Sequence, residues 1–348
     1  MFTITGQSRL AVKSRLTAAF GAVLYVFATI CLNVPISTAT AETITHTYRW
    51  TKTVASSGSA FNQVVQVEAD SEGNVYSLGA FKGTVTFDGP GGTDTVTNSS
   101  SSHATLYLTK YNSDGDYQWT KTMGLSGNGE ITPMGLAIDS SDNIYFTASF
   151  NDVITFNDFA SGGLSATLPS GVTDSFVMKL NADGTHAWHK HIAATADSYA
   201  PTAGLAVDDA GNVDVVGYYN GEVQFDEDDV STDISNPTAD TMFVAQFDND
   251  GNFNWMTEVQ AGTTNSFVQP YAVAVKSNGT VVVAGYYMGN GTGDIGIDTD
   301  GFANDFITYI GSNGVYEDTT YFDNTDGQAG NYGVAVDWAD NVYVTGSY

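Results

Sequence analysis

The sequence predicts an all-β fold, a β-propeller of antiparallel four-stranded blades with a period of about 69 residues. Three observations predict it. Trp50, Trp119, Trp188 and Trp255 are spaced by 69, 69 and 67 residues, in the contexts RWTKT, QWTKT, AWHKH and NWMTE. One phrase recurs on the same beat, as GNVYSLGAF at 73–81, DNIYFTASF at 142–150, GNVDVVGYY at 211–219, GTVVVAGYY at 279–287 and DNVYVTGSY at 340–348. No segment after residue 41 keeps a helical period with caps. The recurring pieces are instead short, rich in Val, Ile, Tyr, Phe and Thr, and bounded by Gly, Asp, Asn and Ser, as strands are.

Residues 1–41 stand apart from the repeats. Arg9, Lys13 and Arg15 precede an almost wholly apolar run from Leu16 to Val34, and Ala39-Thr40-Ala41 offers the small-x-small pattern of a cleavage site. These features predict a signal peptide and a mature chain starting at Glu42. A membrane anchor is the competing reading, because the run approaches the ~20 residues of a spanning helix. Pro35 and the small-residue exit favour the signal peptide, and no later segment is long enough to span. The only cysteine, Cys31, follows Ile30 inside that run, which disfavours lipid attachment. The mature chain then has no thiol, so disulfides, cysteine-ligated zinc and thiol catalysis are excluded together.

Residues 42–348 hold four full units and a partial fifth. Each unit opens with a strand ending at a turn: GLAIDSS at 135, GLAVDDA at 204, AVAVKSN at 272, GVAVDWA at 333 and the looser VVQVEADSE at 64. The recurring phrase supplies the second strand. A short strand then closes on Phe87, Phe156, Phe225 or Ile297, and an aromatic strand with its hairpin completes the unit, as in LYLTKYNSDGDYQW, FVMKLNADGTHAW and FVAQFDNDGNFNW. The Gly of each DG turn is free to take the positive φ that hairpin twist demands.

Runs such as VVVAGYY are apolar at consecutive positions, which means that both faces of each sheet are covered. A doubly covered antiparallel sheet repeated at a fixed interval is a propeller blade. Ser- and Gly-rich stretches such as GPGGTDTVTNSSSS at 89 lengthen the interval beyond that of compact blades. The recurrent Trp is expected in the core, since burying ~150–250 Å² of indole at ~25 cal/mol per Å² is worth roughly 4–6 kcal/mol before entropic costs. The repeated Asp70, Asp139, Asp208 and Asp337 is expected to cap the turn that follows it; a ring of channel carboxylates is the alternative.

Taken in order, GxAxD, GNVYVTGSF, GTVxF and DxFVxKxxxDGxxxWxK resemble the bacterial secreted β-propeller repeat family, with repeats of the seven-bladed type. The resemblance covers essentially all of residues 44–348. It implies a propeller, a secreted or cell-surface bacterial protein, and no catalytic motif to carry over. The fourth unit departs from the pattern: Asp318 stands where Trp is expected after the turn Gly, and Lys276 replaces the Asp of GxAxD. Both departures bear on the packing of that blade. Closing a ring calls for a strand from the N-terminus, and HTYRWTKTV at 46 is suited to it. The last unit supplies only GVAVD and NVYVTGSY, so the ring is expected to be incomplete at the C-terminus, with further blades beyond Tyr348 as the favoured reading.

Three of the 11 basic residues lie in the leader and none of the 39 acidic ones do, so cleavage moves the formal charge from −28 to −31. A chain so acidic cannot displace counterions from phosphates, which excludes nucleic acid and disfavours anionic membranes. Asp outnumbers Glu by 31 to 8, and Asp is the turn-former of the two, so most of the excess reads as turn chemistry.

Two features are candidate metal sites. His189 and His191 of HAWHKH lie two apart, hence on one face of a strand, an arrangement that can hold zinc or copper. His186 sits nearer the turn and is expected out of reach, and no carboxylate is evidently placed to complete a site; an edge-strand histidine pair is the favoured reading. Asp298, Asp300 and Asp305 of IDTDGFAND offer several oxygen ligands and a turn Gly in one loop, as calcium prefers, although no Glu closes the loop and Asx turns alone explain it. Calcium is therefore the one cofactor the sequence suggests. No nucleophile elbow, phosphate loop or dinucleotide fingerprint is present; GNGTG at 289 is a loop. The expected function is a secreted or cell-surface binding or scaffold module without catalysis, for an extracellular protein or glycan. A propeller hydrolase or lyase and a calcium-dependent glycan binder are the alternatives.

Overall fold

The structure, a computed structural model, describes residues 50–52, 54–56, 62–89, 92–98, 103–125, 129–156, 158–159, 173–195, 198–225, 234–260, 267–288, 304–322 and 330–347. The leader, Asp298 and Asp300 lie outside them. Every regular element among the described residues is a β-strand. In chain order, β1 (Ala55–Ser56) precedes a first unit of β2 (Asn62–Ala69), β3 (Val75–Phe81), β4 (Gly83–Gly89), β5 (Gly92–Asn98), β6 (Thr105–Tyr111) and β7 (Tyr117–Leu125). The second unit holds β8 (Ile131–Ile138), β9 (Ile144–Phe150), β10 (Ile154–Thr155), β11 (Asp174–Leu180) and β12 (His186–Ala194). The third holds β13 (Thr202–Val207), β14 (Val213–Gln224), β15 (Ile234–Phe247) and β16 (Phe253–Val259). The fourth holds β17 (Phe267–Val275), β18 (Val281–Met288), β19 (Asn304–Ile310) and β20 (Tyr316–Phe322), and a fifth begins with β21 (Gly330–Val336) and β22 (Val342–Ser347).

Within the units the strands pair antiparallel as β2-β3-β6-β7, β8-β9-β11-β12, β13-β14-β15-β16, β17-β18-β19-β20 and β21-β22. The first strands stand side by side, β2 against β8, β8 against β13, β13 against β17 and β17 against β21. The units therefore fan out as blades from a shared inner wall, which is propeller architecture. Because alternate residues of a strand face opposite sides, each blade feeds two apolar layers. Leu78, Leu106 and Leu108 of the first blade share a core with Leu136, Phe146 and Phe176 of the second. Tyr145 and Val177, on the second blade's other face, share the next core with Val215 and Phe243 of the third. Each inner strand also carries a bulge at the same place, with Val65, Met134, Ala203, Tyr271 and Tyr332 as the extra residues.

The turns between first and second strands work as the repeated Asp predicts. Asp70 Oδ1 accepts the backbone N–H groups of Glu72 (3.1 Å) and Asn74 (2.8 Å), while Oδ2 accepts from the Asn74 amide (2.7 Å) and the Tyr76 hydroxyl (3.1 Å). Asp139, Asp208 and Asp337 repeat the backbone and amide bonds. These carboxylates are consumed by their own turns.

The Trp residues depart from expectation. They pack against the core clusters but are only half-buried, because each reaches from the outer strand side of one blade onto the hairpin turn of the next. A Cβ at Gly184, Gly251 or Gly314 would lie 3.1, 2.8 or 2.7 Å from Trp119, Trp188 or Trp255 respectively. The glycines have φ of +82°, +86° and +78°, so both the backbone and the close approach of the indole select against a side chain. Trp188 Nε1 donates to Asn249 O (3.0 Å) and Trp255 Nε1 to Ser312 O (3.1 Å). Trp50 makes the same contact with Gly115 and donates to Ser113 O (3.2 Å).

The short strands are a second surprise: they reach back to the previous blade instead of extending their own. β10 pairs with β7 (Ile154 to Leu125), and the end of β14 pairs with β12 (Val223 to Ala194). β4 pairs with β1 at the corresponding register, Val85 to Ser56. β1 thus takes the place of an outer strand beside the first blade's short strand.

The fourth blade's departures are accommodated by an exchange of roles. In the first two blades Lys110 lies 4.9 Å over the Tyr76 ring and Lys179 lies 5.2 Å over Tyr145, each pair facing across the second and third strands. In the fourth blade the matching pair is Val282 and Tyr309, and Lys276 lies 4.8 Å over Tyr309. The cation–π contact survives with its partners relocated.

The third blade instead pairs Asp214 with Gln246. Asp214 is wholly buried; Oδ1 accepts from Gln246 Nε2 (2.8 Å), while Oδ2 finds no partner among the described residues. Burial pushes its carboxyl well above the usual range. Glu68 on β2, where the other inner strands have Ala, is likewise pushed up to about 7 by burial, opposed by a hydrogen bond from Gln66.

Two predictions follow from this packing. Trp188→Ala is expected to cost about 2–3 kcal/mol and Gly251→Ala about 1–3 kcal/mol in urea unfolding. Because the Gly is constrained partly by the indole, the second change should cost at least ~1 kcal/mol less when Trp188 is already Ala; strictly additive costs would mean that the indole does not constrain the turn. For Asp214 and Glu68 the folded pKa lies above the unfolded value, so the folded state binds protons more tightly. Stability is then greatest below the unfolded pKa and falls as pH rises through the folded pKa. Asp214→Asn should raise the melting temperature at pH ~7 and give no gain at pH ~4, and Glu68→Gln should remove the part of the slope that lies between the ordinary carboxyl value of 4.5 and about 7.

Candidate functional site

The structure gives the two histidines that the sequence groups different partners. His189 and His191 share a face of β12, but His191 Nε2 lies 2.5 Å from Asp174 Oδ2, whose Oδ1 accepts the Ala194 N–H at 2.9 Å. His186, expected out of reach, brings Nε2 to 2.9 Å from His189 Nδ1, and burial holds its imidazole below the usual pKa. Asp174 is the carboxylate that the sequence did not reveal, because only the pairing of β11 with β12 brings it to His191. Asp305 is a buried residue of β19, facing Tyr286 and Phe322 in the ladder, and not a member of an open loop as IDTDGFAND suggests. Among the described residues, no group of three or more His, Cys, Asp or Glu is placed to hold a metal ion.

A different cluster gathers at the end of the third and fourth blades opposite the Asp turns and DG hairpins. It grows from inter-blade pairing. Asp240 on β15 pairs in parallel with Phe267 on β17, and Tyr199, just ahead of β13, bridges Asn220 of β14. These ladders bring Asp240 under three donors: the Tyr199 hydroxyl and Asn220 Nδ2 (3.2 Å) on Oδ1, and Gln269 Nε2 (3.1 Å) on Oδ2. The Tyr286 hydroxyl donates to Gln269 Oε1 (2.7 Å), so two tyrosines are tied to one carboxylate through two blades.

Aromatic rings surround this network. Tyr218 stands edge-on to Tyr199 at 6.1 Å, Phe267 edge-on to Tyr286 at 5.2 Å, and Tyr271 stacks on Tyr286 at 5.1 Å with 15° between planes. Tyr271, the bulged residue of its inner strand, is 41% exposed. Burial, reinforced by Asp240, holds the phenols of Tyr199, Tyr218 and Tyr286 above their usual pKa, so they remain hydroxyl donors at neutral pH. The cluster is specific to these blades. The second blade has Ser149 where Tyr218 and Tyr286 stand, Thr173 where Asp240 stands, and Met134 where Tyr271 stands. The signal for it was present as YY in two copies of the phrase and as Pro-Tyr in FVQPYAV, but periodicity alone reads such residues as strand filling.

No family model matches the chain. It is similar to an uncharacterized WD repeat-containing protein of Acanthamoeba polyphaga mimivirus, with 25% identity over 263 residues, 66% of this chain and 18% of that protein. The chain thus spans less than a fifth of that relative's length. Among solved structures, a catalytically inactive virginiamycin B lyase from Staphylococcus aureus with quinupristin aligns over 82% of this chain and 95% of its own, at 9% identity and a TM-score of 0.27. No helix among the described residues is long and apolar enough to cross a membrane.

Tyr199→Phe should lower stability by about 1.5–3 kcal/mol in urea unfolding, the usual loss for a hydrogen bond to a charged acceptor. Tyr218→Phe, whose hydroxyl is not tied to Asp240, should cost measurably less. Equal costs would show that the Tyr199 hydroxyl does not hold the cluster together.

Proposed function

We propose that the chain is a non-catalytic β-propeller binding module, exported from the cell, whose ligand face is the tyrosine cluster of the third and fourth blades. One observation carries this reading: at one end of an otherwise repeating scaffold, five aromatic rings, a carboxylate and two amides of the third and fourth blades converge, with Tyr271 among them exposed. Rigid aromatic surface with a few placed polar groups is the composition of ligand sites. The repeated carboxylates, by contrast, are occupied by their turns. The basic leader and apolar run support export, and the likeness to a WD repeat-containing protein supports a propeller that binds.

The test is a binding screen of the mature protein against panels of soluble glycans and peptides, repeated with Tyr271→Ala. Since Tyr271 is exposed, the variant should keep the wild-type melting temperature within a few degrees, yet bind the screened ligand at least about tenfold more weakly. Undiminished binding by a folded Tyr271→Ala protein would place the ligand face elsewhere.

A further inference from the structure

We infer that Lys179 and Asn249 join the second and third blades covalently, through an isopeptide bond between Nζ and Cγ formed with loss of ammonia. Lys179 on β11 reaches the hairpin turn of the third blade, where Nζ donates to Asn249 O (2.8 Å) and to Asn249 Oδ1. A carbonyl carbon lies only ~1.23 Å from its oxygen, so an amine in contact with Oδ1 is also close to Cγ, the carbon it attacks. The carboxamide packs against Gly211, where a Cβ would lie 2.8 Å from Asn249 Oδ1 and 3.0 Å from its Cγ. Lys179 is buried, and burial holds its amine below the ordinary lysine pKa against the pull of Asp139, Asp250 and Asp248, which favours the nucleophilic neutral form.

The third group is Tyr145. Its hydroxyl lies 3.1 Å from Asn249 Oδ1 and 3.0 Å from Asp139 Oδ2, and burial, reinforced by Asp139, keeps the phenol protonated. The reaction balances without a cofactor. Lys179 loses its ammonium proton to water, the Nζ lone pair bonds to Cγ, and the carbonyl pair moves onto Oδ1, where the Tyr145 hydroxyl donates to it. As the C=O bond reforms, the Cγ–Nδ2 bond breaks, one proton passes from Nζ to Nδ2, and ammonia leaves. The combination belongs to one junction among the described blades. After Lys110, the first blade's counterpart of Lys179, the following turn has Ala182 where Asn249 stands; after Gln246, the third blade's counterpart, it has Ser312. Since Cys31 is the only cysteine, no disulfide can link one blade to another.

The experiment is mass spectrometry of the purified mature protein, intact and after proteolysis. The expected intact mass is lower than that of the sequence by one ammonia, and the digest should contain a branched peptide joining the segments around Lys179 and Asn249. Lys179→Arg and Asn249→Ala should each show the full mass of its own sequence. In Tyr145→Phe the joined fraction, followed in time after expression, should grow roughly 100-fold more slowly. An intact wild-type mass equal to that of the sequence would overturn the inference without any variant having to fold. So would loss of ammonia with no branched peptide, which marks ring closure of an asparagine on its own backbone. Joining of Tyr145→Phe at the wild-type rate would overturn the part given to Tyr145.

Discussion

The clasp between an outer-strand Trp and the hairpin Gly of the following blade is the contact on which the rest of the architecture depends. Apolar layers between blades are interchangeable in principle, since Leu, Val and Phe from any two sheets can pack together. A half-buried indole seated on a glycine at positive φ, and in three clasps donating to a carbonyl of the same turn, fixes how one blade sits on the next. Once rotation and height are set, the inner strands align their bulges and the short strands find the outer strand of the blade before them. Trp50 is seated on Gly115 in the same way.

The blades tolerate substitution where a local charge or hydrogen-bond balance can be restored by a neighbour. Lys276 and Tyr309 keep a cation–π contact after all three members of the usual Asp, Tyr and Lys set have changed. The third blade restores less: Gln246 satisfies one oxygen of Asp214 and leaves the other without a described partner. Burial raises the pKa of that carboxyl, so stability is coupled to pH through a group inside the protein.

Function is read from departures of another kind, those that add chemistry instead of replacing it. The parallel pairing of Asp240 with Phe267 is matched between the second and third blades by that of Thr173 with Tyr199, but only the former sets a carboxylate among stacked rings. The repeat supplies a rigid frame, and two blades use it to hold side chains at fixed angles. In the second blade the same positions hold Ser149, Thr173 and Met134.

By itself the sequence determined the all-β class, the strand order and the capping role of the repeated Asp, because each depends on local pattern. It placed Trp in the core and the short strands within their own blades, since spacing along a chain cannot say which blade a side chain meets. It paired His189 with His191 for the same reason, whereas Asp174 and His186 are their actual neighbours. Only the tertiary structure decided that Tyr199, Asp240, Gln269 and Tyr271 form one cluster, because residues spread over 73 positions converge there through strand pairing between blades, a contact that leaves no periodic trace.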